Sequence, residues 1–124
     1  MKPAMEERIR FITHQGKKIL LIDFSHCSAE EILQLLPEVQ EVITSEPRNS
    51  VLALGDFTDS AVRRDAADRI KQTLVFDRPY VKHAAWVGIE KIPKVFLDAF
   101  KTFSQRELRP FKTREEAMHW LVKE

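Results

Sequence analysis

Residues 79–122 constrain this chain more than any other stretch, because strand, amphipathic helix, short strand and capped helix follow one another there with little between them. Tyr80-Val81-Lys82-His83-Ala84-Ala85-Trp86-Val87-Gly88 reads as a buried strand. Pro93 opens a helix, where its missing amide hydrogen does no harm. Phe96, Phe100 and Phe103 then recur at steps of four and three. Residues 108–111 form a short extended piece after Ser104-Gln105-Arg106. Thr113 and Glu116 are spaced as a capping box, each side chain meeting the other's free backbone amide. A chain written this way folds as repeating strand–helix units. Nothing in it declares a reaction.

The upstream half continues the pattern. Residues 8–14 alternate weakly, with Ile9, Phe11 and Thr13 on one side, and Gln15-Gly16-Lys17 supplies the glycine that a tight turn favours. Ile19-Leu20-Leu21-Ile22-Asp23-Phe24 follows, so the first two strands should pair as an antiparallel hairpin. Ser28 is placed to cap a helix over 28–44, and Glu30 and Glu31 suit the positive end of its dipole. Ile32, Leu35, Leu36, Val39 and Ile43 mark its inner face, and Pro37, read on that face, should kink it. Ser50-Val51-Leu52-Ala53-Leu54-Gly55 is the third strand. A helix over 59–75 should then turn Val62, Ala66, Ile70 and Leu74 inward, and helices over 93–103 and 113–122 complete the set.

The second, third and fourth strands are near-continuous apolar runs, the pattern of strands buried on both faces of a parallel sheet. The fold class is therefore α/β, a mostly parallel five-stranded sheet with an antiparallel N-terminal edge strand and four helices. Strand–helix–strand crossovers are nearly always right-handed. If strand order follows sequence, the connecting helices share one face, and a terminal helix, a ligand or a second subunit must cover the other.

At 124 residues the chain is read as one domain spanning 1–124. Twenty basic residues against 19 acidic ones leave a net charge of +1, which offers no field to draw in nucleic acid. The pairs Lys17-Lys18 and Arg63-Arg64 are too short to form a basic stripe, so no nucleic acid is expected. Cys27 is the lone cysteine, which excludes an internal disulfide and a cysteine zinc site. The histidines at 14, 26, 83 and 119 lack ligand spacing, so neither metal nor cofactor is expected. The first residues lack the apolar core of a signal peptide, and no apolar run approaches the ~20 residues that span a bilayer, so the expected location is cytoplasmic.

In open sheets of this kind, ligands gather beyond the carboxyl ends of the parallel strands. Ser25, His26, Asp56, Asp59 and Gly88 fall there. His26 beside Cys27 suggests a base and nucleophile, but sequence neighbours seldom point at each other, and packing before a helix is the plainer use. Asp56 and Asp59 could pair as carboxylates or simply cap. Thr58 and Ser60 are candidate phospho-acceptors at a helix start, where free amides would greet a phosphate, with capping the commoner role. The stripe of Phe96, Phe100 and Phe103, with Trp86 on the neighbouring strand, is either core or the lid of an apolar ligand site. Lys94 and Lys101 would flank such a lid. No acid–base or nucleophile constellation emerges, and no catalytic residue is assigned.

The element order, together with Leu20-Leu21-Ile22-Asp23-Phe24-Ser25, Ser50-Val51-Leu52-Ala53-Leu54, Pro79-Tyr80-Val81-Lys82, Ala85-Trp86-Val87-Gly88, Phe103-Ser104-Gln105-Arg106 and Phe111 with Glu115-Glu116-Ala117 through Trp120-Leu121, resembles the STAS fold of bacterial anti-sigma-factor antagonists. From about residue 9 to residue 122 the chain resembles the small stand-alone SpoIIAA-like branch, often grouped with CRAL-TRIO lipid-transfer domains. The resemblance implies a singly wound strand–helix superhelix without enzymatic activity. In the antagonists a serine after an aspartate, following the third strand, is phosphorylated to control a partner. Asp59-Ser60 is the nearest match, and it departs from the pattern in its Ala61-Val62 continuation. For the stand-alone branch the resemblance implies apolar-ligand binding and membrane association, with the helix over 93–103 as the mobile part. The expectation is a binding module recognised by a protein partner. The alternative is a carrier or sensor of an apolar small molecule or lipid, with peripheral membrane contact. A homodimer is compatible with either.

Overall fold

The structure, a computed structural model, describes residues 5–123. After a single 3-10 turn at Met5–Glu7 come β1 (Ile9–His14), β2 (Lys17–Asp23), α1 (Ala29–Thr44), β3 (Val51–Asp56) and α2 (Arg64–Asp77). Then follow β4 (Val81–Val87), α3 (Lys94–Ser104), β5 (Pro110–Phe111) and α4 (Arg114–Leu121). The strands lie in sequence order in one sheet. β1 is antiparallel to β2, and the remaining pairs are parallel. The hairpin turns at Gln15 and Gly16, both with positive φ.

Alternation along each strand sorts the core into two layers. Leu20, Val51, Ala53 and Trp86 face the layer built with Ile32 and Val39 of α1, Ile70 of α2 and Phe100 of α3. Ile19, Leu21, Leu54 and Val87 face the other way, onto Ala117 and Leu121 of α4. The crossover helices therefore share one face, and the terminal helix covers the opposite one, chiefly over β3 and β4. This is why the central strands carry no polar face. Phe100, Leu20, Leu54 and Leu121 are fully buried, each side chain contributing about 1.5–3 kcal/mol by leaving water.

Three local expectations need correction. The helix after β3 begins at Arg64, not at residue 59, and runs to Asp77. Asp59 adopts a left-handed φ of 53°, the Ser60 amide bonds back to the Phe57 carbonyl, and the Ala61 amide to that of Cys27, so a closed turn occupies the place of a first helical turn. Pro37 lies within α1 but points to solvent instead of joining the apolar face, and the helix continues through it to Thr44. The reciprocal capping box stands at α1, between Ser28 and Glu31. At α4 the Thr113 hydroxyl accepts the Glu116 amide, while the Glu116 carboxylate meets that hydroxyl at 3.4 Å and not a backbone amide.

Candidate functional site

The carboxyl ends of β2 and β3 are built alike. Asp23-Phe24-Ser25 and Asp56-Phe57-Thr58 lie side by side, with Asp23 in register with Asp56. In the first, the Ser25 amide and hydroxyl donate to one Asp23 oxygen at 2.9 and 2.5 Å. In the second, the Thr58 amide and hydroxyl donate to one Asp56 oxygen at 2.9 and 2.7 Å. Each turn ends in a residue with positive φ, His26 at 58° and Asp59 at 53°. The two turns are stitched together by the His26 amide donating to the Thr58 carbonyl.

Arg114, at the start of α4, joins both carboxylates. Its Nε donates to Asp56 at 2.6 Å, and its Nη2 lies 3.1 Å from Asp23. Arg8, fully buried, donates from Nη1 to the carbonyls of Asp23 and Ser25 and lies 3.7 Å from the Asp23 carboxylate. Its Nε and Nη2 find no partner among the described residues. Burial alone would push the Asp23 carboxyl up, but the Ser25 hydrogen bonds and the Arg114 cation outweigh it and hold the group below its ordinary value. Desolvation would likewise lower Arg114, and Asp56 and Asp23 together raise it. Two aspartates and two arginines thus fasten α4 and the N-terminal segment to the strand ends. Carboxylates engaged this way are poor candidates for a free acid or base.

The other residues expected at this end divide. His26 and Asp59 face each other at 3.8 Å, with Lys91 at 3.4 Å from Asp59, all on the surface. Cys27 is buried in the core instead of being presented beside His26. Thr58 is tied to Asp56, and the half-buried Ser60 hydroxyl donates to the Phe57 carbonyl at 2.9 Å. Neither hydroxyl caps a helix: the N-cap of α2 is Arg63, which has no side-chain cap bond. Gly88, with φ 75°, lets this turn close, since a Cβ there would stand 2.5 Å from the Thr58 amide nitrogen. Among the described residues no group of three or more His, Cys, Asp or Glu is arranged to hold a metal.

Beneath these turns, between the sheet and α1, α2 and α3, lies an apolar cavity of about 80 Å³. Phe24 and Phe57, with ring centroids 5.1 Å apart, and Trp86, stacked on Phe57 at 5.5 Å, line its carboxyl end. Towards the other end it reaches Asp77 and Arg78 at the end of α2, Val81, and Arg106 beyond α3. Asp77 is 4% exposed, and its Oδ1 has no hydrogen-bond partner among the described residues. Burial pushes its carboxyl up to about 7. The Arg106 guanidinium donates to the carbonyls of Val81 and Lys82, and burial lowers its pKa.

The phenylalanines of α3 do not line this space. Phe100 is fully buried and stacks on Trp86 at 6.0 Å, Phe96 is half-buried, and Phe103 is 42% exposed under Lys71. Helical spacing puts the three in different environments. What α3 gives the cavity is Ser104, at its end. The residues missing from the sequence reading are Asp23, Asp77, Arg8 and Arg114. The repeated Asp-Phe-Ser/Thr was a readable signal for the first, and Asp77-Arg78-Pro79 was read only as punctuation.

No family model matches the chain, and no curated protein matches it. A solved structure does: an uncharacterised protein of the DUF3478 family from Shewanella loihica PV-4, described as having a SpoIIAA-like fold. The two superpose with a TM-score of 0.70 over 92% of each chain at 18% sequence identity. At that identity the likeness speaks for architecture alone. With its strand order and helix placement, it shows that this chain has the SpoIIAA-like fold.

Proposed function

We propose that this chain is a non-enzymatic binding module whose ligand is a small apolar molecule held between the sheet and α1, α2 and α3. The observation that carries the reading is the cavity over Phe24, Phe57 and Trp86. Protein interiors pack densely and keep few voids larger than a water. A partly open apolar space of about 80 Å³ leaves its lining in contact with water, and an apolar guest would cover that surface. The strand-end carboxylates, each engaged by Arg114, support a role other than acid–base catalysis.

A regulatory role through a protein partner is the second reading. The observation in its favour is the exposed group His26, Asp59 and Lys91, projecting where two left-handed turns meet. No helix among the described residues is long and apolar enough to cross a membrane. Native mass spectrometry of protein purified from its own host tests both readings at once. A retained small-molecule mass that toluene displaces is the expected result. Protein that carries no such mass, and whose stability toluene leaves unchanged, would remove the ligand reading. A co-purifying chain or a phosphate would advance the partner.

A further inference from the structure

A polar atom on the cavity wall that finds no partner among the described residues identifies the class of the guest. We propose that the site takes a compact apolar molecule bearing a single uncharged hydrogen-bond donor, of the phenol or indole type, and that the Asp77 carboxyl receives that donor. The proposal rests on the apolar-ligand reading above and deepens it. Asp77 is buried, lines the cavity, and leaves Oδ1 unpaired. Buried polar atoms are nearly always satisfied, and an exception on the wall of a largely apolar space marks where a partner belongs.

The neighbours decide the charge of that partner. Arg78 and Arg106 line the same end as Asp77, while the lining contributed by α1 and by the strands carries no ionisable group. An ammonium would enter against two guanidinium groups, one of them already held by carbonyls. A carboxylate would be set against the Asp77 carboxyl itself. A neutral O–H or N–H meets neither objection. Size sets the other limit. An apolar cavity of about 150 Å³ accepts benzene, and this one is about half that. The guest is therefore only partly enclosed, with the far edge of a phenol, or the second ring of an indole, at the half-buried rim of Leu74 and Val81. The elevated Asp77 pKa agrees with a carboxyl that lacks its partner.

The test is a calorimetric titration of the whole chain at pH 8 with phenol, indole, toluene, benzoate and benzylamine. Phenol and indole should bind about tenfold or more tighter than toluene, the worth of a hydrogen bond to a charged acceptor. Benzoate and benzylamine should bind more weakly than phenol. In Asp77→Leu the phenol affinity should fall to that of toluene, while toluene binding persists. Asp77→Asn keeps an acceptor oxygen and should retain part of the preference. Equal binding of phenol and toluene to the native chain, or benzylamine binding tightest, overturns the assignment of Asp77 but leaves the apolar cavity standing as a site. Failure of every probe, toluene included, overturns the ligand reading with it.

Discussion

At the carboxyl ends of β2 and β3, the buried carboxyls of Asp23 and Asp56 meet Arg114, whereas at the end of α2 the equally buried Asp77 leaves an oxygen with no hydrogen-bond partner among the described residues. Burial acts on Asp23 and Asp77 in the same direction, yet Asp23 ends below its ordinary value and Asp77 rises to about 7. The difference lies in what surrounds them. At the strand ends, hydroxyls, amides and guanidinium groups replace water around the anion. Beside the cavity, no hydrogen bond from the described residues reaches Asp77 Oδ1. Charge that is answered from within the chain holds the fold together. Charge that is left unanswered beside open space invites a ligand.

The largest expected consequence is a stability profile in which the two regions pull in opposite directions with pH. The folded Asp77 value of about 7 lies above the ordinary 3.8, so between them the folded chain binds the extra proton. Stability from this group is therefore fully present below the ordinary 3.8 and is lost as pH rises through about 7, by about 4 kcal/mol for a shift of that size. Asp77→Asn should remove that slope and leave the variant more stable than the native chain at pH 8, as read by urea unfolding across the range. Parallel curves for the two proteins would mean that Asp77 finds a partner in solution. Asp23 has the reverse sign, because its folded pKa is depressed. Its contribution is present above the ordinary carboxylate range and is lost as pH falls through its folded value.

Next comes the clasp itself. Arg114→Met keeps much of the apolar stem and removes the cation, leaving two buried carboxylates face to face across β2 and β3. The loss should be about 3 kcal/mol at pH 7, the low end for breaking a buried pair, because the guanidinium side chain is 35% exposed. The deficit should shrink in acid as the carboxylates protonate. A loss below about 0.5 kcal/mol would place this pair among ordinary surface bridges and undo the contrast with Asp77.

How much of this was legible beforehand follows from the range of the interactions. Strand runs and helix faces are local patterns, so the sheet, its order-dependent layering and the four helices could be read directly. Asp59 shows where that fails. Asp-Ser before an apolar period looks like a helix start, but contacts to Phe57 and to Cys27, on the neighbouring strand end, fold the segment into a turn. The clasp joins residues 58 apart, Arg114 and Asp56, and no spacing rule connects them. The spacing of Phe96, Phe100 and Phe103 is helical, and all three lie on α3. Which of them met core and which met water depended on the position of α2, where Lys71 reaches over Phe103. The cavity is a property of packing between four elements, and nothing in the order of residues announces a void.

A smaller effect tests how tightly the strand-end turns are built. Gly88→Ala puts a methyl 2.5 Å from the Thr58 amide nitrogen at a left-handed φ, whereas the methyl of Gly16→Ala, at a similar φ, meets nothing within 4 Å. Strain alone costs about 1 kcal/mol or somewhat more, so Gly16→Ala should lose about that. Gly88→Ala should lose about 2 kcal/mol, because the Thr58 turn must also shift. Thermal unfolding of both variants separates strain from contact. Equal losses would show that the turn yields freely and that the clasp is softer than its hydrogen bonds suggest.

The smallest expected effect bears on whether the strand-end region is structural or regulatory. The Ser60 hydroxyl makes one hydrogen bond, to the Phe57 carbonyl, and caps no helix. Ser60→Ala should therefore lose about 1 kcal/mol. A phosphate on Ser60 would sit four residues before α2, away from the free amides of a helix start, and beside Asp59. It would meet like charge there instead of a waiting site. Ser60→Asp should then disturb the turn by repulsion, and neither variant should change what the folded chain captures from its host's extract. Folding is checked by the unfolding transition in each case. If Ser60→Asp releases or recruits a specific protein that Ser60→Ala leaves alone, the exposed surface of His26, Asp59 and Lys91 is a partner site. The answered charges beneath it would then hold a switch in place, and the contrast with Asp77 would no longer separate structure from function.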